Sequence, residues 1–253
     1  MSVLCYHSVD PAWQSRLALP PGAFEEHCAW LSRRRTVVGL EHAIELADRR
    51  WRLPKPLSAL TFDDGFAGLY EHAMPILLRH QLPATIFLVA ETLAAGGREV
   101  DWVDTPPPWR LQTLTLTQVL EMREAGFGFG SHSYSHLDLT AMSSEECERD
   151  LSRSRVLLEE LLHQPIRTLA YPRGRHNRAV QAAAQRAGYT YAMALPEHRE
   201  VAGPYAIPRV GIYPPNRTGT LWIKTRRGYL DARLHPAYHS LRDGLCRLRS
   251  RAG

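Results

Sequence analysis

Cysteine is scarce in this chain: four in 253 residues, at Cys5, Cys28, Cys147 and Cys246, with no CxxC pair. That excludes a disulfide framework and points to reduced thiols. Long hydrophobic runs are lacking as well. No stretch approaches the ~20 apolar residues that a membrane-spanning helix needs. Internal repeats and low-complexity tracts are absent, which excludes solenoids and arrays. Met1 leads into Ser2-Val3-Leu4-Cys5-Tyr6-His7 with neither a basic n-region nor an apolar h-region. The expectation is a cytoplasmic protein, and nucleic acid is not among its expected partners.

What is present is a core large enough for one domain. Hydrophobic residues make up 44% and charged residues 23%, ordinary values for a globular protein that folds without staples. Short β-like runs alternate with amphipathic helices. Val3–Tyr6, Thr36–Leu40, Leu57–Phe62, Ala84–Ala90, Phe127–Gly130, Ile166–Tyr171 and Tyr189–Leu195 read as strands. Phe24–Ser32, Glu41–Arg50, Leu69–His80, Thr117–Ala125, Ser143–His163 and Asn177–Ala187 read as helices. Pro75 requires a kink or break in the third of these. Thr117 is the expected N-cap of the fourth, and Ser143 with Glu146 has capping-box spacing. Such alternation implies parallel strands with right-handed crossovers, and about seven units suit a distorted (β/α) barrel in a single α/β domain. In barrels of this kind the chemistry lies at the carboxyl ends of the strands.

The charge is uneven. From Leu221 onwards eight basic residues face two acidic ones, a net +6 out of the chain's +5, so the rest carries −1. The reading is a domain over residues 1–219 followed by a basic tail over 220–253. Leu241, Leu245 and Leu248 recur at helical spacing among arginines, so the tail could form an amphipathic helix that touches an anionic membrane, placing the protein on the inner membrane face. The alternative is a tail packed on the barrel with its arginines solvated.

Three motifs fall at strand ends. Thr61-Phe62-Asp63-Asp64-Gly65 sets two adjacent carboxylates beside a glycine turn. Side chains alternate along a strand, so the two acids are expected to point apart and do different work. Alone, the segment is also compatible with an ordinary surface turn. His132-Ser133-Tyr134-Ser135-His136 offers two imidazoles four apart, able to face one ion from a helical turn or a tight loop. With Asp64 they make three protein ligands and leave positions open, as a catalytic site requires. Tyr171-Pro172-Arg173-Gly174 reads as a turn after an apolar strand. The proline-rich segment 100–110 (VDWVDTPPPWR) is a rigid loop and a candidate wall of a cleft.

In this order and spacing the three motifs resemble the polysaccharide deacetylase family, the NodB homology domain or carbohydrate esterase family 4. LCYHSVD near the start, PATIFL, AGFGFGSHSYSH, the Leu137-Asp138-Leu139 step and the spacing around Pro204 to Val210 resemble its branch of exopolysaccharide and poly-N-acetylglucosamine deacetylases. The resemblance covers residues 3–215. It implies a metal-dependent hydrolase that removes N-acetyl groups from sugars in a glycan or a lipid-linked saccharide. It implies one divalent ion, zinc first, with cobalt, nickel or iron as alternatives, held by Asp64, His132 and His136. It makes Asp63 the catalytic base, and Tyr171, Pro172 and Gly174 a groove where a backbone amide near the tyrosine helps hold the oxyanion.

Two departures stand out. Many relatives carry an arginine two residues before the proline of the third motif to orient the base; that position is Ala170 here, and Arg209 is the candidate substitute. The usual late Leu-x-His, which supplies the acid, is missing, and His7 at the end of the first strand is the candidate for that role. Hydrolysis of a small cyclic amide or imide, and a non-catalytic glycan-binding role, are the competing readings. The complete set of aspartates and histidines argues against both.

Overall fold

A computed structural model of the protein describes residues 1–49, 53–198 and 200–235. The chain begins with β1 (Ser2–Tyr6), which leads into a short parallel pair, β2 (Ser8–Val9) and β3 (Ala18–Leu19). Helix α1 (Pro21–Arg34) starts with proline at its first position, where the missing N–H costs nothing. Then come β4 (Thr36–Val37), α2 (Leu40–Asp48) and β5 (Leu57–Phe62). A wide π turn over Leu69–Ala73 feeds α3 (Met74–Arg79). Pro75 is the cause: it has no N–H, and its ring crowds the preceding turn, so the helix opens before it.

The rest continues the alternation: β6 (Thr85–Leu88), α4 (Leu116–Glu124), β7 (Gly128–Ser131), α5 (Ser144–Leu162), β8 (Thr168–Ala170), α6 (Arg178–Arg186), β9 (Tyr191–Ala194), β10 (Ile207–Gly211), α7 (Thr218–Lys224) and α8 (Tyr229–Arg233). Ser143 and Glu146 form the capping box of α5. The cap of α4 is Thr115, paired reciprocally with Gln118, and not Thr117, because the helix begins earlier than its apolar pattern shows. Strand β10 carries Pro208 near its start, which hid it in the sequence.

β1, β10, β9, β8, β7, β6 and β5 pair in that order, all parallel, and β1 also pairs with β5, so seven strands close a barrel. β4 adds to the start of β5 outside the ring. Val3, Ala59, Phe87, Ala170 and Met193, from five different strands, form one buried cluster with Leu40, Ala43 and Ile44 of α2. These are the inward residues, and α2 plugs the floor of the barrel. Leu4, Tyr6, Leu60, Phe62 and Leu169 face the other way, into the core under the helices.

The boundary expected at 219/220 lies next to packed structure. It falls inside α7, whose Leu221 is fully buried in the main core, and Leu234 is buried as well. Apolar side chains continue the barrel unit to Leu234. The proposed amphipathic stretch with Leu241, Leu245 and Leu248 lies outside the described residues. So does Cys246; Cys5, Cys28 and Cys147 are buried thiols. Among the described residues no helix is long and apolar enough to cross a membrane.

Candidate active site

Asp63 continues the inward row of β5 after Ala59 and Thr61, so its carboxylate enters the barrel mouth. Asp64 and Gly65 both take left-handed backbone, with φ of 70° and 64°. That conformation reverses the expected divergence of the two acids: His132 Nε2 lies 4.0 Å from Asp63 Oδ2 and 3.8 Å from Asp64 Oδ1. The acids therefore face one site. Glycine suits position 65 because its φ of 64° is left-handed, and a Cβ there would also lie 2.8 Å from Leu88 Cδ2.

Arg209 stands on the inward face of β10, in register with Val3. It donates Nη1 to Asp63 Oδ1 at 2.6 Å and Nη2 to Oδ2 at 2.7 Å, a two-pronged pair with both partners buried. Arg209 Nη1 also donates to Thr61 Oγ1 at 3.2 Å, and Cys5 Sγ donates to Asp63 Oδ2 at 3.4 Å. Burial by itself would raise the Asp63 pKa. Arg209, and His132 behind it, outweigh burial and hold the carboxylate well below its usual range. The candidate substitute for the missing arginine is thus in contact with the acid it was expected to orient.

His132 follows β7 on its inward face. Its Nδ1 lies 2.7 Å from the Ala170 carbonyl, which can only accept, so the proton sits on Nδ1 and Nε2 keeps a free lone pair. Burial, against the pull of Asp63, pushes its pKa down to about 4, so the ring is neutral near pH 7. His136 brings Nε2 to 3.2 Å from Asp64 Oδ1. The histidines sit on a tight loop, not a helical turn. Asp150 of α5 anchors that loop by accepting from Tyr134 N, Ser135 N and Ser135 Oγ, and Ser133 Oγ accepts from His136 N. Nothing local in the sequence marked Asp150 for this work.

The ligand atoms of Asp64, His132 and His136 all lie within 4.8 Å of one another, and all three residues are buried. Two imidazoles and a carboxylate with one tautomer already set fit a divalent ion of the zinc type. Cys5, His7 and Asp63 are as close together. They do not make a second such site, because Arg209 and Cys5 already occupy the Asp63 oxygens. His7 continues the inward row of β1 after Val3 and Cys5, stacks on Tyr213 with ring centres 6.4 Å apart, and has a buried Nδ1 with no partner among the described residues.

The third motif departs from expectation in one residue. Tyr171 points outward: it is fully buried in the outer core, its hydroxyl donates to Tyr205 O at 3.0 Å, and its amide donates to Met193 O at 3.1 Å. Strand parity turns it away from the mouth, and its amide is committed to β9. The turn after it holds Arg173 at φ 57° and Gly174 at φ 73°. The Arg173 amide has no protein acceptor among the described residues. Gly174 is forced, because a Cβ would meet Leu195 Cβ at 2.4 Å and Leu195 N at 2.7 Å. Gly174→Ala is expected to cost about 1–3 kcal/mol in chemical denaturation, from overpacking on top of backbone strain. Wild-type stability in that variant would show that the turn is not tight.

Trp102, in the proline-rich segment, is a site residue that the motifs did not single out. Its Nε1 donates to Asp64 Oδ1 at 2.9 Å, and its ring stacks on His136 at 4.8 Å. Arg173 Nη2 donates to its carbonyl at 3.2 Å, while Arg98 bonds the Ser135 carbonyl and Asp101. Residues 98–104 therefore form a wall joining the histidine loop to the Tyr-Pro turn.

Residues 51–192 match the family model for polysaccharide deacetylase. The chain belongs to the polysaccharide deacetylase family. It is 27% identical over 218 residues to YxkH of Bacillus subtilis, a protein named after the same family, covering 85% of this chain and 72% of that one. It is 28% identical over 173 residues to the poly-beta-1,6-N-acetyl-D-glucosamine N-deacetylase of Staphylococcus epidermidis, covering 63% of this chain and 55% of that one. IcaB from Ammonifex degensii superposes with a TM-score of 0.73 at 25% identity, covering 89% of this chain and 97% of that one. The deacetylase PplD of Streptococcus pyogenes, at 22% identity and a TM-score of 0.76, covers 90% and 98% and shares the fold. In this polysaccharide deacetylase the arginine paired with Asp63 comes from β10, while the position before the Tyr-Pro turn is Ala170, whose carbonyl orients His132 instead.

Proposed function

We propose that this protein is a metal-dependent N-deacetylase of N-acetylated sugars. The observation that carries the reading is the pair of adjoining devices in the barrel mouth: a three-donor set of Asp64, His132 and His136, and an ionised acid, Asp63, clamped by Arg209. When bound, a divalent ion, zinc first on this donor set, supplies Lewis acidity to an acetyl carbonyl and makes the attacking water more acidic. Asp63 accepts the proton of that water, and Arg209 fixes the orientation of the acceptor. His7, on the inward row of β1, returns a proton to the leaving amine. The Arg173 amide is the donor of the turn suited to a developing oxyanion, in place of the Tyr171 amide. Trp102 walls the site beside the ligands.

The Staphylococcus epidermidis relative, named for poly-beta-1,6-N-acetyl-D-glucosamine, supports β-1,6-linked GlcNAc as the first substrate to test. A lipid-linked saccharide carrying N-acetylated sugars is the second. The assay is acetate release from β-1,6-GlcNAc oligomers and lipid-linked GlcNAc saccharides, before and after chelation. Acetate release that disappears with chelator and returns with zinc is the expected result. No acetate from any N-acetylated sugar, with the ion bound, would defeat the proposal.

A further inference from the structure

Away from the candidate site the barrel carries a cleft with a cavity volume of about 1270 Å³. It opens beside the first residues of β1 and β5 and beside β10, and residues of α1, α7 and α8 form its other walls. Six Arg and Lys side chains line it: Arg34, Arg35, Lys55, Lys224, Arg226 and Arg227. Asp231 is the one carboxylate among the described lining residues.

The more buried of these cations are satisfied only by neutral groups. Arg35, 9% exposed, donates to Ser58 Oγ at 2.9 Å, Ser2 Oγ at 2.9 Å and the Leu57 carbonyl at 3.0 Å. Lys224 donates to the Gly211 carbonyl at 2.6 Å and Asn216 Oδ1 at 2.7 Å. Lys55, which is exposed, donates to the Ser32 carbonyl. Burial, then Arg233, lowers the Lys224 ammonium to about 8, as a cation without a counter-charge should behave. The segments 50–52 and 236–253 hold six arginines against one aspartate, so they bring no surplus of acid. Arg35 and Lys224 are the desolvated members and the other four are exposed; against the single described carboxylate, Asp231, the lining keeps an excess of positive charge, and a bound anion offsets its cost.

The cleft is also aromatic. Trp30 and Trp222 line it, and the Arg226 guanidinium lies 4.6 Å over the Trp222 ring. Trp222 is 51% exposed at its lip. Cations among exposed apolar side chains suit a ligand with an anionic group on an apolar body. Arginine forks match the oxygens of phosphate.

We propose that this cleft is a second ligand site, which takes a phosphate group carried on an apolar body. The cleft opens at the starts of β1 and β5, away from Asp63 and the histidines, while the Lys224 ammonium reaches the end of β10 beside Tyr213; the inference does not depend on the deacetylase reading. The phosphate can belong to an anionic lipid in a membrane or to a free phosphorylated molecule, and two probes separate these sources. Full-length protein is titrated calorimetrically with inorganic pyrophosphate, and sedimented with vesicles of phosphatidylglycerol or of phosphatidylcholine. The comparison is the Arg34→Gln/Arg227→Gln variant, in which both changes are at exposed positions outside the mouth.

Binding to phosphatidylglycerol but not phosphatidylcholine, weakened roughly tenfold or more in the variant, places the phosphate on a lipid. Pyrophosphate binding alone, weakened in the same way, identifies a soluble phosphorylated ligand. Failure of both probes overturns the proposal, as does binding that the variant keeps. Vesicle binding lost in an Arg247→Gln/Arg249→Gln variant and kept in the cleft variant also overturns it, because the basic tail is then the contact.

Discussion

Replacing Asp63 by asparagine is expected to lower kcat by about 10²–10⁴-fold with little change in KM. Asparagine keeps the shape of the side chain and cannot take a proton. The structure adds a second consequence. Asp63 is the counter-charge of a buried guanidinium, so the variant also strands Arg209. Removing one partner of a buried pair costs about 3–5 kcal/mol. The amide oxygen of the new side chain can still accept one of the two Arg209 bonds, which puts this change at the low end. Arg209→Met has the reverse effect, leaving Asp63 buried without the group that holds its pKa down.

The double variant Asp63→Asn/Arg209→Met decides between structure and chemistry. Neither charge is then stranded, so its loss of stability in denaturant should be smaller than the sum of the two single losses, while turnover stays at the Asp63→Asn level. Additive stability changes would show that the pair is not coupled. Near-wild-type kcat in Asp63→Asn would remove Asp63 as the base.

His132→Ala/His136→Ala is expected to take the bound divalent ion from near one per chain to none, and to abolish acetate release with it. Elemental analysis of purified protein reads the first effect. The fold should survive, because α2 and the inward row of apolar residues build the floor without either histidine. The loss of His132 leaves the Ala170 carbonyl without its donor, a penalty of about 1–3 kcal/mol. Trp102 loses its stacking partner when His136 goes. Unchanged metal content in this variant would exclude these histidines as the ligands.

Asp63, Asp64, His132 and His136 were legible in the sequence because each pair sits within five consecutive residues. The strand before each pair ends at the barrel mouth, and alternation sends Asp63 and His132 inward. The β/α rhythm, the capping box at Ser143 and the run Leu57–Phe62 were readable for the same reason: their signals are local. Arg209 was reachable by asking which cation could replace the one missing at Ala170. Its contact with Asp63 was not, because 146 residues separate them and only the closure of β1 onto both β10 and β5 brings them together.

Tertiary structure decided the rest. Whether Tyr171 faces the mouth or the outer core depends on strand parity, which a turn motif does not state. Whether Asp63 and Asp64 diverge or converge depends on one left-handed residue. Trp102 reaches Asp64 from a loop whose own pattern records proline and stiffness but no destination. The clustered cations of the lower cleft come from the end of α1, the segment before β5 and the α7–α8 region, none of which looks like a site by itself. The physical reason is common to all of them. Residue type and short-range spacing set which chemistry a segment can do, while the register and closure of the barrel set which segments meet.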